Sequence, residues 1–308
     1  MTRDRPGGAT TGTDGRAGIT AALVRRLIAD QFPAWAGLPV VPVQEDGWDN
    51  RTYRLGLALT VRLPTHQRYV PAVAKEDRWL PVLAPQLPLP VPVPVATGRP
   101  ADGYPHPWSV RRWLEGRPAE RHRLADAAAF ARHLAGFLRA LRSIDPTGGP
   151  AAGAHSFYRG GSLAHYDAET RAALQSLGDA VDRRGLEAVW QEALASTWTA
   201  PDVWFHGDVA SGNLLLDEAG GLAAVLDFGT SGVGDPACDL VVAFTLLRGR
   251  SRVVFREAMG LDDQAWARAR GWAAWKALIM LAAEPHPVTG SEHRRVLDEV
   301  LADRAGDR

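Results

Sequence analysis

Residues 205–229 read FHGDVASGNLLLDEAGGLAAVLDFG, and Asp208, Asn213 and Asp227 stand there beside runs as apolar as Leu214–Leu216 and Ala223–Leu226. A carboxylate next to a buried strand costs free energy unless something pairs with it. Phosphoryl transfer would supply the partner. It needs one carboxylate to orient an attacking hydroxyl, and oxygen ligands that hold magnesium on the phosphates of a nucleotide. Asp208, Asn213 and Asp227 together make such a set. Taken singly, Asp208 and Asn213 could instead cap backbone N–H groups in a loop, as Asp and Asn often do.

The elements that would position them are short. Val203–Phe205, Leu214–Leu216 and Leu222–Leu226 are the convincing β runs in a region otherwise of helical periodicity, so the three polar side chains fall at strand ends and on the intervening loop. Ends of buried strands are rigid, which suits groups that must hold a geometry. The order His206-Gly207-Asp208, Asn213, then Asp227-Phe228-Gly229 matches the kinase pattern H-R-D-x-x-x-x-N followed by D-F-G, with Gly207 in place of the arginine. HGDVASGN, LDFG and GVGDPACDL resemble the aminoglycoside phosphotransferase family, relatives of choline and macrolide kinases, from about residue 40 to about residue 285.

The resemblance implies an α+β, two-lobed protein-kinase-like fold, with a small antiparallel-sheet N-lobe and a larger, mainly helical C-lobe. It implies that Asp208 is the catalytic carboxylate, that Asn213 and Asp227 bind Mg2+, and that His206 is a buried scaffold residue. Asp239 would brace the backbone of the catalytic loop. Asp235 followed by Pro236 reads as an ordinary helix start.

A phosphate site also needs a turn and a cation. Gly47 and the Asp49-Asn50 pair in GWDNRTYRL favour a tight hairpin whose N–H groups could face phosphate oxygens; Gly47 and Asn50 resemble the family's nucleotide-positioning loop. In LTVRLP, Arg62 stands where kinases carry lysine, and its planar fork is not equivalent to an ammonium. Arg62 takes the phosphate role and Glu76, in VAKEDRWL, the pairing role. Lys75 is the alternative cation or a solvated surface lysine. By analogy with a kinase hinge, Ser109, Val110 and Arg111 present backbone groups to a purine, their backbone mattering more than their side chains.

Around these motifs, Ile19–Phe32 has the spacing of an amphipathic helix, TYRLGLALTVRL alternates as a strand does, and a helix is expected over Ala72–Leu83. Prolines at every second position of QLPLPVPVPVATG forbid helix and favour an extended edge segment or linker. His106–Gly116 reads as one more strand. Helical periodicity then marks Leu124–Ile144, Asp167–Leu177, Leu186–Trp198, Asp239–Leu247, Asp263–Ala283 and Ser291–Ala305. The expected organisation is a disordered tail over 1–17, a nucleotide-binding lobe over 18–110 and a helical lobe over 111–308 with the catalytic loop and substrate site.

Composition narrows the rest. Lys+Arg and Asp+Glu are equal at 35 each among 308 residues, so no global field favours nucleic acid or an anionic membrane. Only Lys75 and Lys276 are lysines. Cys238 is the sole cysteine, which excludes an intramolecular disulfide and fits a reducing cytoplasm. No G-x-x-x-x-G-K-[ST] occurs, excluding a P-loop hydrolase, and no A-P-E element follows Asp227-Phe228-Gly229, against a protein kinase. The expectation is a cytoplasmic O-phosphotransferase using Mg2+ and ATP or GTP on a small molecule, foremost an aminoglycoside-type antibiotic. The alternatives are a macrolide, a choline, sugar or amino-alcohol acceptor, or a silent nucleotide-binding module. Asp145, Asp167, Glu169 and Glu284 are candidates for a cation-binding acceptor cleft, and Trp266, Trp272 and Trp275 accompany Lys276 on one helix.

Overall fold

The computed structural model describes residues 15–306 except 45, 46, 48, 121, 123 and 284–286, and leaves the side chains of 287–289 undescribed. The expected tail therefore falls largely outside the described residues; Gly15–Gly18 form a turn in which Arg16 Nη1 donates to the Gly47 carbonyl at 2.9 Å. The described residues pack as two compact units, one of residues 15–116 with 223–229, the other of 117–222 and 230–306.

The first unit is built on helix α1 (Ala21–Gln31), strands β1 (Val40–Pro42), β2 (Asn50–Leu55) and β3 (Leu59–Pro64), helix α2 (Val70–Leu83), and strands β4 (Pro94–Gly98) and β5 (Trp108–Arg112). The Thr20 hydroxyl accepts from Leu23 N at 3.2 Å and caps α1, whose Leu23, Val24, Leu27 and Ile28 form the buried stripe. The five strands make one antiparallel sheet in the order β1-β2-β3-β5-β4. The run TYRLGLALTVRL is two strands, not one: Leu55 pairs with Leu59, and the reversal between them uses Gly56 at φ +60°. The proline-rich run ends as the edge strand β4, where a missing N–H costs no ladder bond. Gly98 of β4 lies flat on the buried Trp108, where a Cβ would meet the indole at 1.9 Å. Leu27, Leu55, Val61, Leu63, Trp108 and Val110 fill the core between α1 and the sheet.

The second unit begins with strand β6 (Arg117–Pro118) and continues through helices α3 (Ala127–Ser143), α4 (Asp167–Leu177) and α5 (Arg183–Ala195), then strands β7 (Val203–Phe205) and β8 (Leu214–Leu216). Strand β9 (Leu222–Val225) carries the chain into the first unit's 223–229 segment, and β10 (Gly232–Gly234) brings it back to pair with β7. A tight helical turn over Pro236–Val241 leads into α6 (Val242–Thr245), followed by α7 (Arg250–Met259), α8 (Asp263–Ala283) and α9 (Pro287–Gly306). Helix α8 is buried along most of its length, Arg268 and Arg270 included, because α4, α5, α9 and the 236–241 turn all pack on it. Gly271 lets α5 approach to where a Cβ would lie 2.5 Å from Ala193 Cβ. Helix α7, packed on α3, carries no clear periodic signal in the sequence because its buried stripe of Ser251, Phe255 and Met259 is sparse among arginines. Among the described residues no helix is long and apolar enough to cross a membrane.

Candidate active site

The His206–Asn213 motif starts where β7 ends. His206 is fully buried and its Nδ1 accepts the Asp208 N–H at 3.2 Å. Gly207 has φ +86°, and a Cβ there would lie 2.8 Å from the Thr230 carbonyl, so glycine is the residue this bend tolerates. Asp239, buried at the start of the apolar turn, accepts the His206 N–H at 2.8 Å through Oδ2 and the Gly207 N–H at 2.7 Å through Oδ1. Burial pushes the Asp239 carboxyl up, against the pull of His206, the two N–H bonds and Arg142. Two backbone donors facing one carboxylate explain why an acid enters an apolar segment.

This brace sets Asp208 at the loop crest, half-buried, with Asn213 folded onto it. Asn213 Nδ2 donates to the Asp208 carbonyl at 3.0 Å and to Asp208 Oδ2 at 3.1 Å. The amide's nitrogen side is thus spent on Asp208, leaving its carbonyl oxygen as the atom with ligand chemistry. Asp235 caps the Pro236–Val241 turn at Ala237 N (3.0 Å) and holds Arg268 Nε at 2.6 Å in a buried ion pair. Cys238 is buried and its thiol is pushed well up, first by burial and then by Asp239 and Asp235.

The remaining motif residues lie in the first unit. Arg62 on β3 stands opposite Ser109 of β5, and its guanidinium lies 3.6 Å from Glu76 Oε1 and 3.8 Å from Asp227 Oδ1. Burial opposes its charge, but Glu76, Asp227 and Asp49 hold its pKa above the ordinary value. Glu76 is joined more closely by Arg111, whose Nη2 lies 2.8 Å from Oε2 while its Nε donates to Ser109 Oγ at 3.0 Å. Glu76 Oε1 also accepts the Phe228 N–H at 3.1 Å. Burial would raise the Glu76 carboxyl; Arg111 and Arg62 overcome it and hold the group down at about 2. Asp227 has φ +60° and its Oδ1 accepts the Gly229 N–H at 3.1 Å.

Several expectations change in detail. The Arg111 side chain is buried and is the nearer counter-ion of Glu76, so at 111 the side chain matters as well as the expected backbone. Ser109 is buried as that guanidinium's acceptor, and Val110 is a core side chain. Lys75 is half-buried, not a solvated surface group: desolvation brings its ammonium down to about 8, against Glu76 and Asp227. Gly47 is exposed and Asn50 opens β2, while part of the expected tight hairpin around them lies outside the described residues. Of the proposed cleft acids, Asp145 caps Thr147 N at 2.9 Å, Asp167 takes Arg171 Nε at 2.8 Å and Trp190 Nε1 at 2.7 Å, and Glu169 takes Trp275 Nε1 at 2.9 Å. Glu284 lies outside the described residues. Trp266, Trp272 and Trp275 are all buried. The spacing of Arg111 carries no signal that its side chain pairs with Glu76.

The description "phosphotransferase enzyme family" matches residues 41–277, three quarters of the chain. The chain belongs to that family. It is therefore a phosphotransferase acting on a hydroxyl of a small molecule, with the two-lobed kinase-like fold. Among solved structures it is similar to the GDP complex of aminoglycoside 2'-phosphotransferase-IIIa, with TM-score 0.68 and 17% identity over 93% of this chain and 100% of that one. It is similar also to macrolide 2'-phosphotransferase MphH from Brachybacterium faecium, with TM-score 0.59 and 21% identity over 90% and 97%. An ADP-bound aminoglycoside phosphotransferase, APH(2'')-Ib, aligns with TM-score 0.60 and 13% identity over 92% and 99%. At these identities the likeness carries the fold. No curated relative matches the chain in sequence.

Proposed function

We propose that the chain moves the γ-phosphoryl group of ATP or GTP, as its Mg2+ complex, onto a hydroxyl presented to Asp208. The observation that carries this reading is the Asp208–Asn213 pair at 3.1 Å on a loop whose bend is held by Asp239. The Asp208 carboxylate orients the hydroxyl and accepts its proton as the oxygen attacks phosphorus. The acceptor O–P bond forms, the bond from phosphorus to the β,γ-bridging oxygen breaks, and the nucleoside diphosphate leaves with the bridging electron pair. Asn213 keeps the carboxylate from swinging away. In the other unit, Arg62 offers its guanidinium to donor phosphates while Glu76 and Arg111 fix its position, and backbone groups of 109–111 and the Gly47–Asn50 turn are offered to the nucleotide.

The donor set suits magnesium. The Asp227 carboxylate and the Asn213 carbonyl oxygen are hard oxygen ligands of the kind it takes alongside water and phosphate. When bound, the ion would neutralise charge on the β- and γ-phosphate oxygens.

For the acceptor, aminoglycosides are named in several neighbouring structures, one of them a kanamycin complex, and macrolides in others. Asp145, Asp167 and Glu169, three of the carboxylates expected to receive an aminoglycoside's ammonium groups, are engaged elsewhere, as above, which weakens that reading. A cytoplasmic setting, with nucleotides and a reducing environment, accords with the proposal. The test is Asp208→Asn with nucleoside-diphosphate release measured over a panel of aminoglycosides, macrolides and amino-alcohols. Release should vanish while the unfolding midpoint stays within a few degrees; full activity on any accepted substrate would reject the role. Asp227→Ala should abolish the thermal stabilisation that Mg2+ with ATP or GTP gives the parent.

A further inference from the structure

Beside Asp208, wholly within the helical unit, lies a cavity of about 300 Å³. Apolar walls come from Val241, Ala273, Ala277 and the edges of Trp272 and Trp275; the cations on it are Arg159 and Lys276. Neither cation makes an ion pair or side-chain hydrogen bond among the described residues. Lys276 Nζ has only the Trp275 ring, 6.0 Å to the centroid. The neighbouring acids are already committed. Glu169 spends an oxygen on Trp275 Nε1 at 2.9 Å, and Glu292 takes two nitrogens of Arg295, Nε at 3.1 Å and Nη2. Trp272 keeps a buried indole N–H without an acceptor.

The cavity therefore holds more donors than free acceptors. Asp208 already accepts Asn213 Nδ2 through Oδ2, and the reaction needs its carboxylate at the hydroxyl. Desolvation and the nearby Arg159 both lower the Lys276 ammonium, and Asp208 and Glu169 do not restore it; burial and Lys276 likewise lower His293. Each further cation entering this space would meet the same repulsion, whereas an anion would relieve it.

We propose that the acceptor carries an anionic group on an apolar frame, that Lys276 and Arg159 receive that group, and that the hydroxyl faces Asp208. This rests on the phosphotransfer reading above and makes the site one that rejects polycations. A charge-assisted contact to either residue should be worth about tenfold in affinity, which is about 1.4 kcal/mol.

Three matched probes test it: phenyl β-D-glucuronide, phenyl β-D-glucoside and phenyl β-D-glucosaminide, alike in ring and aglycone and carrying a carboxylate, no charge and an ammonium. Binding to the full chain is measured by calorimetry without nucleotide. The glucuronide should bind at least about tenfold more tightly than the glucoside, and the glucosaminide more weakly than either. Lys276→Met and Arg159→Met should each bring the glucuronide to the level of the glucoside, and Lys276→Arg should retain most of the preference. A glucuronide no tighter than the glucoside, including the case where neither binds, overturns the proposal, as does tighter binding of the glucosaminide or of kanamycin. A third contrary outcome is that the Met variants weaken Mg2+ with a non-hydrolysable ATP analogue instead, which assigns the two cations to the donor phosphate. Failure of the phosphotransfer reading would show separately, as no stabilisation of the parent by Mg2+ with ATP or GTP.

Discussion

Arg111→Met removes the nearer of the two guanidinium groups from Glu76 and keeps most of the buried volume. The carboxylate, 4% exposed, then has Arg62 at 3.6 Å and the Phe228 N–H at 3.1 Å. In the parent, Glu76 is held from an ordinary 4.5 down to about 2. At about 1.4 kcal/mol per pH unit of displacement that corresponds to about 3 kcal/mol, and losing one partner of a buried pair costs about the same, about 3–5 kcal/mol. The expected loss at pH 7 is therefore about 3 kcal/mol, read by urea unfolding and by hydrogen-exchange protection in β3 and β5. The sign with pH follows from the direction of the shift. A depressed folded-state value stabilises above the unfolded value of 4.5 and is lost as pH falls toward about 2, so the variant should lose less than the parent across that window. Adding Glu76→Gln should recover at least about 1.5 kcal/mol relative to additivity, because the uncompensated charge is gone. A single variant within about 0.5 kcal/mol of the parent, or an additive double variant, would refute the reasoning.

Asp239→Asn keeps one acceptor but turns an amide N–H₂ toward a backbone donor; kcat should fall about tenfold or more through the lost loop brace, with the KM for nucleotide little changed, measured by steady-state kinetics. Lys75 has a folded-state value near 8 where the free side chain has 10.5, so the unfolded chain binds the extra proton and stability should rise with pH between them, by at most about 1.4 kcal/mol per pH unit. Lys75→Met should lack that rise; parallel urea-unfolding profiles from pH 8 to 10 would contradict it.

Much of this molecule was legible in its residues. Asp167–Leu177 and Asp263–Ala283 follow their apolar spacing to the residue, and the two-lobed class follows from HGDVASGN, LDFG and GVGDPACDL. Short elements fared worse. TYRLGLALTVRL alternates straight through Gly56, and only the positive φ there divides it. Strand β10 is only three residues long, and helix α7 buries only Ser251, Phe255 and Met259 while Val253 is exposed, so neither shows a clear periodic stripe.

Side-chain type and spacing point to Asp208, Asn213 and Asp227 as candidates because the chemistry they could do is local to one loop and two strand ends. Which charges meet was decided only when distant segments packed. Arg111, 35 residues from Glu76, becomes its closest partner. Phe228, 152 residues away, donates to the same carboxylate, and the 223–229 segment joins the sheet unit and not the helices around it in sequence. Lys276 and Arg159 come to line one cavity from a helix and a loop far apart in the chain. Local patterns record the free energy of turning a chain into strands and helices, whereas the pairing of buried charges depends on through-space distance and desolvation, which exist only once the fold has closed.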